Sequence, residues 1–156
     1  MRQLIVSTAN TLIRSTESLN WLAPLAMRVV FGYFWLETGW GKLQNIDTFT
    51  MRFMNWNIPF PEFSATLSGC TDLIGGALLI LGLFTRLATI PMIINMIVAI
   101  GVVQIHNVSS VDDFVELDEV IYALVLFWLM MSGPGRVSLD HLLSKTFRLR
   151  SSKSIK

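Results

Sequence analysis

The chain has 156 residues, 53% of them hydrophobic and only 15% charged, with a formal net charge of +1. Soluble domains usually carry about a quarter of their residues as Asp, Glu, Lys or Arg. The apolar excess excludes disorder, the near-neutral charge argues against a nucleic-acid partner, and the single Cys70 excludes an internal disulfide, a CxxC redox centre and a thiolate zinc site. What remains is an all-α, polytopic membrane protein in contact with the lipid bilayer, and the mean hydropathy of +0.57 agrees.

In chain order, Thr8, Asn10, Thr11 and Arg14 break up any continuous apolar run, so the start does not read as a cleaved signal. Leu4, Ile5, Ala9, Leu12, Ile13 and Leu19 recur at helical spacing and predict an N-terminal interfacial amphipathic helix over about 3–19. Four apolar stretches follow, at about 21–41, 65–84, 87–106 and 117–132. Each approaches the roughly 20 residues that a membrane-crossing helix needs. None alternates polar and apolar positions as a barrel strand does, so a four-transmembrane-helix bundle in one domain is expected. Thr85-Arg86 reads as a tight link that makes the second and third spans a hairpin, and Gly133-Pro134-Gly135 reads as a helix stop.

Charge in the flanks sets the orientation. Arg2, Arg14, Arg86, Arg136, Lys145, Arg148, Arg150, Lys153 and Lys156 fall on one side. Lys42, Arg52 and the acidic loop Asp112, Asp113, Glu116, Asp118 and Glu119 fall on the other. Both termini are therefore expected in the cytoplasm, with a basic tail at 141–156 that either rests on anionic lipid or is solvated.

Ionisable groups within a span cost roughly 3 kcal/mol or more and usually face a bundle interior or a wet cavity. In the first span Arg28, Gly32, Trp35, Gly39 and Lys42 share one stripe, while Glu37 points to the opposite side as a weaker candidate. Asp72 shares a face with Gly75, Gly76 and Leu79 in the second. Asn95, Ala99, Val102 and His106 form a stripe in the third, and Asp118 and Glu119 stand at the mouth of the fourth with Tyr122 one turn deeper. The orientation brings Lys42, Asp72, His106, Asp118 and Glu119 to one outer level, with Arg28 and Asn95 expected nearer the cytoplasm. Two readings compete. One is a set of polar contacts that hold the helices together; the other is a pocket of acid, base and cation that takes up protons or a polar head group. Asp72 beside Glu119 would raise one carboxyl pKa towards neutral. No metal site is expected, since His106 has no paired ligand spacing and His141 lies across the membrane.

Three segments carry a resemblance: Arg28-Val-Val-Phe-Gly32 with Gly39-Trp-Gly-Lys42-Leu43; Asp72 through Gly75-Gly76 and Gly82 to Thr85-Arg86; and Gly133-Pro-Gly-Arg-Val-Ser-Leu-Asp140. Together, over about Leu22 to Asp140, the chain resembles the DoxX family of small bacterial four-helix membrane proteins, with Asp72 standing where a glutamate is expected. The resemblance implies a plasma-membrane protein tied to redox metabolism, since the family name comes from a thiosulfate:quinone oxidoreductase subunit. On that basis a quinone-like, small sulfur or oxidant substrate is expected in the outer pocket. Asp72, Glu119 and His106 would handle protons, and Arg28, Lys42, Trp35, Asn95, Tyr122 and Glu37 would bind. Electrons would come from a quinone or a partner redox protein. The alternatives are a membrane anchor or assembly factor for a partner protein, and a small-solute transporter, for which a homo-oligomer would be needed.

Overall fold

A computed structural model describes residues 19–105 and 108–145. The expected interfacial helix at 3–19, apart from Leu19, lies outside the described residues, as do His106 and the basic tail beyond Lys145. All regular structure among the described residues is helical: α1 Leu22–Gln44, α2 Ile46–Asn55, α3 Pro61–Leu81, α4 Thr85–Val98, α5 Val111–Val115 and α6 Asp118–Ser132. A π-helical turn, Ala99–Gln104, prolongs α4, and residues 139–145 are helical again.

The long helices α1, α3, α4 and α6 coincide with the four apolar stretches of the sequence. They form a ring in which α1 packs on α3, α3 on α4 and α4 on α6, and a smaller contact returns α6 to α1. Among the described residues two helices, Pro61–Leu81 and Thr85–Gln104, are both long and apolar enough to cross a bilayer. Helix α1 is diluted by Arg28, Glu37 and Lys42, and the 15 residues of α6 extend about 22 Å. The interior is filled by Trp35, Leu79, Met92, Met96, Leu126 and Leu129. Outside, Val30, Phe63, Leu87 and Leu124 are each more than half exposed. An apolar exterior of that extent suits lipid rather than water.

The bounds follow local chemistry. Pro61 opens α3, where its missing N–H costs nothing. Gly82, at φ 65°, closes it: the Gly82 and Leu83 N–H groups donate to the carbonyls of Leu79 and Leu78 at 3.1 and 3.0 Å. That left-handed turn reverses the chain at residues 82–84, so Thr85 is the first residue of α4 and not part of the link, as the sequence suggested. The N–H groups of Phe84 and Thr85 are capped from a distance by the Asp140 carboxylate, at 2.9 and 3.3 Å. Asp140 in turn donates its own N–H to the Gly82 carbonyl at 3.1 Å. The Gly133-Pro134-Gly135 stop therefore also folds the following segment back beneath the α3–α4 turn.

Glycines set the α1–α3 spacing. A Cβ at Gly39 would lie 2.3 Å from the Leu73 nitrogen, and one at Gly76 would lie 2.5 Å from the Leu36 nitrogen. The two backbones are in direct contact there, as small residues permit between membrane helices. Gly39→Ala is expected to destabilise the bundle by about 1–3 kcal/mol through overpacking against backbone that cannot yield. Gly101→Ala, with nothing within 4 Å, leaves thermal unfolding in detergent unchanged.

On the acidic loop, Ser110 and Asp113 form a capping box at the start of α5. The Asp113 carboxylate accepts the Ser109 and Ser110 N–H groups, both at 2.9 Å, and those bonds hold it below its ordinary value of 3.8. Because the charged form is the one bonded, its stabilisation is present above pH 3.8 and is lost as pH falls through the depressed value. An NMR titration of the Asp113 side chain is expected to show a midpoint below 3.8 that rises in Ser110→Ala.

Candidate functional site

The α1–α3 contact decides which polar groups meet. The stripe read from the sequence faces inward, with Arg28, Gly32, Trp35 and Gly39 all buried. Lys42, in the last turn of α1, emerges where Gly69 of α3 leaves room; a Cβ there would lie 2.9 Å from Leu43 and 3.6 Å from Lys42. With the backbones so close, Lys42 Nζ reaches Asp72 Oδ2 at 2.6 Å. The shorter aspartate suffices because the helices themselves have closed the gap.

Asp72 is 1% exposed and uses both oxygens. Asn95 of α4 donates from Nδ2 to Oδ1 at 3.1 Å and to the Ser68 carbonyl at 3.4 Å. One asparagine amide thus ties α4 to two successive turns of α3. Asn95 lies level with Asp72, not nearer the cytoplasm as its place in the third span suggested. The Lys42 side chain is 24% exposed, whereas the Asp72 side chain it pairs with is sealed. Its ammonium lies 5.0 Å from the centre of the Phe49 ring, a cation–π contact. Phe49 stacks on Phe53 at 4.8 Å, and Phe53 on Trp56 at 5.7 Å, so α2 provides an aromatic wall beside the ion pair. The sequence reading overlooked this wall, although Phe49 and Phe53 are spaced one helical turn apart.

Glu119 does not join Asp72. Its Oε1 accepts from Gln104 Nε2 at 2.9 Å, a pairing made between α6 and the π-helical turn. Helices α3 and α6 occupy diagonal corners of the ring, so the two carboxylates are held apart and the expected like-charge coupling is replaced by two separate polar groups. Asp118 is exposed. Tyr122 lies deeper, packed against Phe34, Trp35 and Phe31 with ring centres 5.0, 5.8 and 6.1 Å away. Trp35 is buried in that aromatic cluster, where it separates the two ends of the bundle.

Arg28 is fourteen residues from Lys42 on the same helix, about 21 Å along its axis. Its guanidinium donates to the carbonyl of Pro134 and, at 2.6 Å, to that of Val137. It grips the returning C-terminal segment. Glu37 is exposed on the far face of α1. His106 lies outside the described residues. Among the described residues no three His, Cys, Asp or Glu side chains gather as a metal-ligand set.

Removing one partner of a buried ion pair strands the other. Asp72→Leu alone is expected to cost about 3 kcal/mol of stability in detergent, and Lys42→Met with Asp72→Leu to recover most of it. Additive losses in that double-mutant cycle would mean that the two side chains are not coupled.

A family profile for DoxX matches residues 23–106. A protein of Mycobacterium tuberculosis described as an uncharacterized membrane protein is 33% identical over 132 residues, covering 78% of this chain and 81% of the relative. No solved structure matches the chain. The DoxX profile covers both members of the ion pair, and a relative of similar length extends the likeness across most of the chain: it belongs to the DoxX family of membrane proteins.

Proposed function

We propose that the chain is a four-span membrane domain of the bacterial inner membrane, with both termini cytoplasmic, serving as a subunit of a redox system. In this reading the Lys42–Asp72–Asn95 group receives a quinone-like, or small sulfur or oxidant, substrate from the outer side. The observation that carries it is the asymmetry of the group: Asp72 is sealed and doubly bonded, while Lys42 is partly exposed beside aromatic rings. An accessible ammonium next to Phe49 suits an oxygen-bearing ring. The ammonium donates to the substrate oxygen, and the aromatic wall of α2 covers the ring.

When Lys42 turns to such an oxygen, Asp72 keeps the Asn95 amide as its donor. Lys42 then stabilises the negative charge that the electrons place on the substrate oxygen, and the protons that neutralise it come from outer-side water at the partly exposed ammonium. Quinone reduction consumes two electrons and two protons; a partner redox protein is the proposed electron source. The Glu119–Gln104 pair, at the outer end of the bundle, is a second and separate group proposed to relay protons from outer-side water. Arg28 and Glu37 fall outside this site.

A second reading, a membrane anchor or assembly factor, is favoured by one observation: both oxygens of Asp72 already have donors, as a purely architectural staple requires.

Protein purified in mild detergent is expected to carry quinone absorbance. Lys42→Met should lower that occupancy about tenfold, while Glu37→Gln leaves it unchanged. Preparations devoid of quinone that retain a co-purifying polypeptide would decide for the anchor.

A further inference from the structure

The segment that follows α6 is held at a fixed level. The Val137 carbonyl accepts from Arg28, the Asp140 carboxylate accepts from the Phe84 and Thr85 amides, and the Asp140 N–H donates to the Gly82 carbonyl. Residues 137–140 therefore lie level with the turn at 82–84. That turn joins Leu81, the last residue of α3, to Thr85, the first of α4, and these are the two helices long and apolar enough to span. A turn between two spans sits at the boundary of the hydrocarbon, and the segment bonded to it shares that depth.

A helical run, residues 139–145, leaves from that level. Leu139, Leu142 and Leu143 share one face of it, while His141, Ser144 and Lys145 take the other. All six are exposed, Leu143 at 45%. The charge at this end has one sign. Arg86, Arg136 and Lys145 are exposed there. From Gly133 to Lys145 the sequence holds one acid, Asp140, and its carboxylate is committed to the Phe84 and Thr85 amides. The charge left facing outward is cationic.

We propose that residues 137–145 form an interfacial foot that docks on anionic phospholipid, the leucine face entering between acyl chains while Arg86, Arg136 and Lys145 pair with headgroup phosphates. Depth and charge together select lipid as the occupant. A helix held at the hydrocarbon boundary meets acyl chains on one side and phosphate on the other, and its two faces are divided in the same way. Basic side chains at that level are drawn to an anionic leaflet, an attraction that salt screens. The described part of the basic tail is thereby assigned to the lipid surface. The inference rests on α3 and α4 crossing the bilayer, as proposed above.

The test uses the full chain with Cys70→Ala, reconstituted in vesicles of phosphatidylcholine and phosphatidylglycerol, with a nitroxide on Leu143→Cys, His141→Cys or Ile74→Cys. Collision with a water-soluble nickel chelate is expected to be about fivefold weaker at Leu143 than at His141. Leaving out phosphatidylglycerol, or combining Arg86→Gln, Arg136→Gln and Lys145→Gln, should cut that difference by about half. Equal collision at the two positions, a difference that persists undiminished without phosphatidylglycerol or without the three cations, or spin–spin broadening that puts a second copy against Leu143 overturns the docking. Ile74, exposed in the body of α3, separates the two failures. A chelate-accessible label there would remove α3 from the bilayer, whereas a protected Ile74 label beside an open Leu143 label overturns the docking alone.

Discussion

Contact between the backbones of α1 and α3 is the constraint on which the rest of the arrangement depends. At Gly39 and Gly76 each helix offers no side chain, and each meets the other's main chain. In lipid there is no hydrophobic gain in joining two apolar helices, so close packing and interhelical polar bonds supply the association. Here the two reinforce each other. The glycines bring Lys42 within 2.6 Å of Asp72, and the ion pair fastens the helices at the level where the glycines end. A bulkier residue at Gly39 or Gly69 would therefore disturb a charged pair and not merely a packing surface.

The two ends of the bundle are fastened by different chemistry. At the Lys42 end, side chains from three helices meet, and one of them retains access from outside. At the Arg28 end, side chains hold backbone: the guanidinium grips two carbonyls of the 133–138 segment, and Asp140 caps α4. Between the ends lie Trp35 and its aromatic neighbours. The Arg28 end thus ties side chain to backbone, and the Lys42 end ties side chain to side chain with Lys42 partly exposed.

Much of this was legible because helical projection is reliable over long apolar runs. The Arg28–Gly32–Trp35–Gly39 stripe and the Asp72–Gly75–Gly76–Leu79 face are both buried as the spacing implied. Depth was harder to read. Asn95 was misplaced because antiparallel register depends on where the α3–α4 turn falls, and Gly82 moves that turn ahead of Thr85. Glu119 was misassigned because sequence does not reveal which helices share an edge of the ring and which face each other diagonally. Helix α2 escaped notice since Asp47, Thr48, Thr50 and Arg52 dilute its apolar face, leaving Phe49 and Phe53 as the signal. The role of Asp140 was invisible for a different reason: capping from more than fifty residues away has no local pattern.

That remote cap imposes an order on biogenesis. Ribosomal synthesis makes α3 and α4 before residue 140, so the Phe84 and Thr85 amides begin without their carboxylate cap. Only after α6 has formed and the glycine–proline–glycine turn has swung the chain back does the carboxylate arrive to cap them. A segment translated more than fifty residues later thus completes the start of α4.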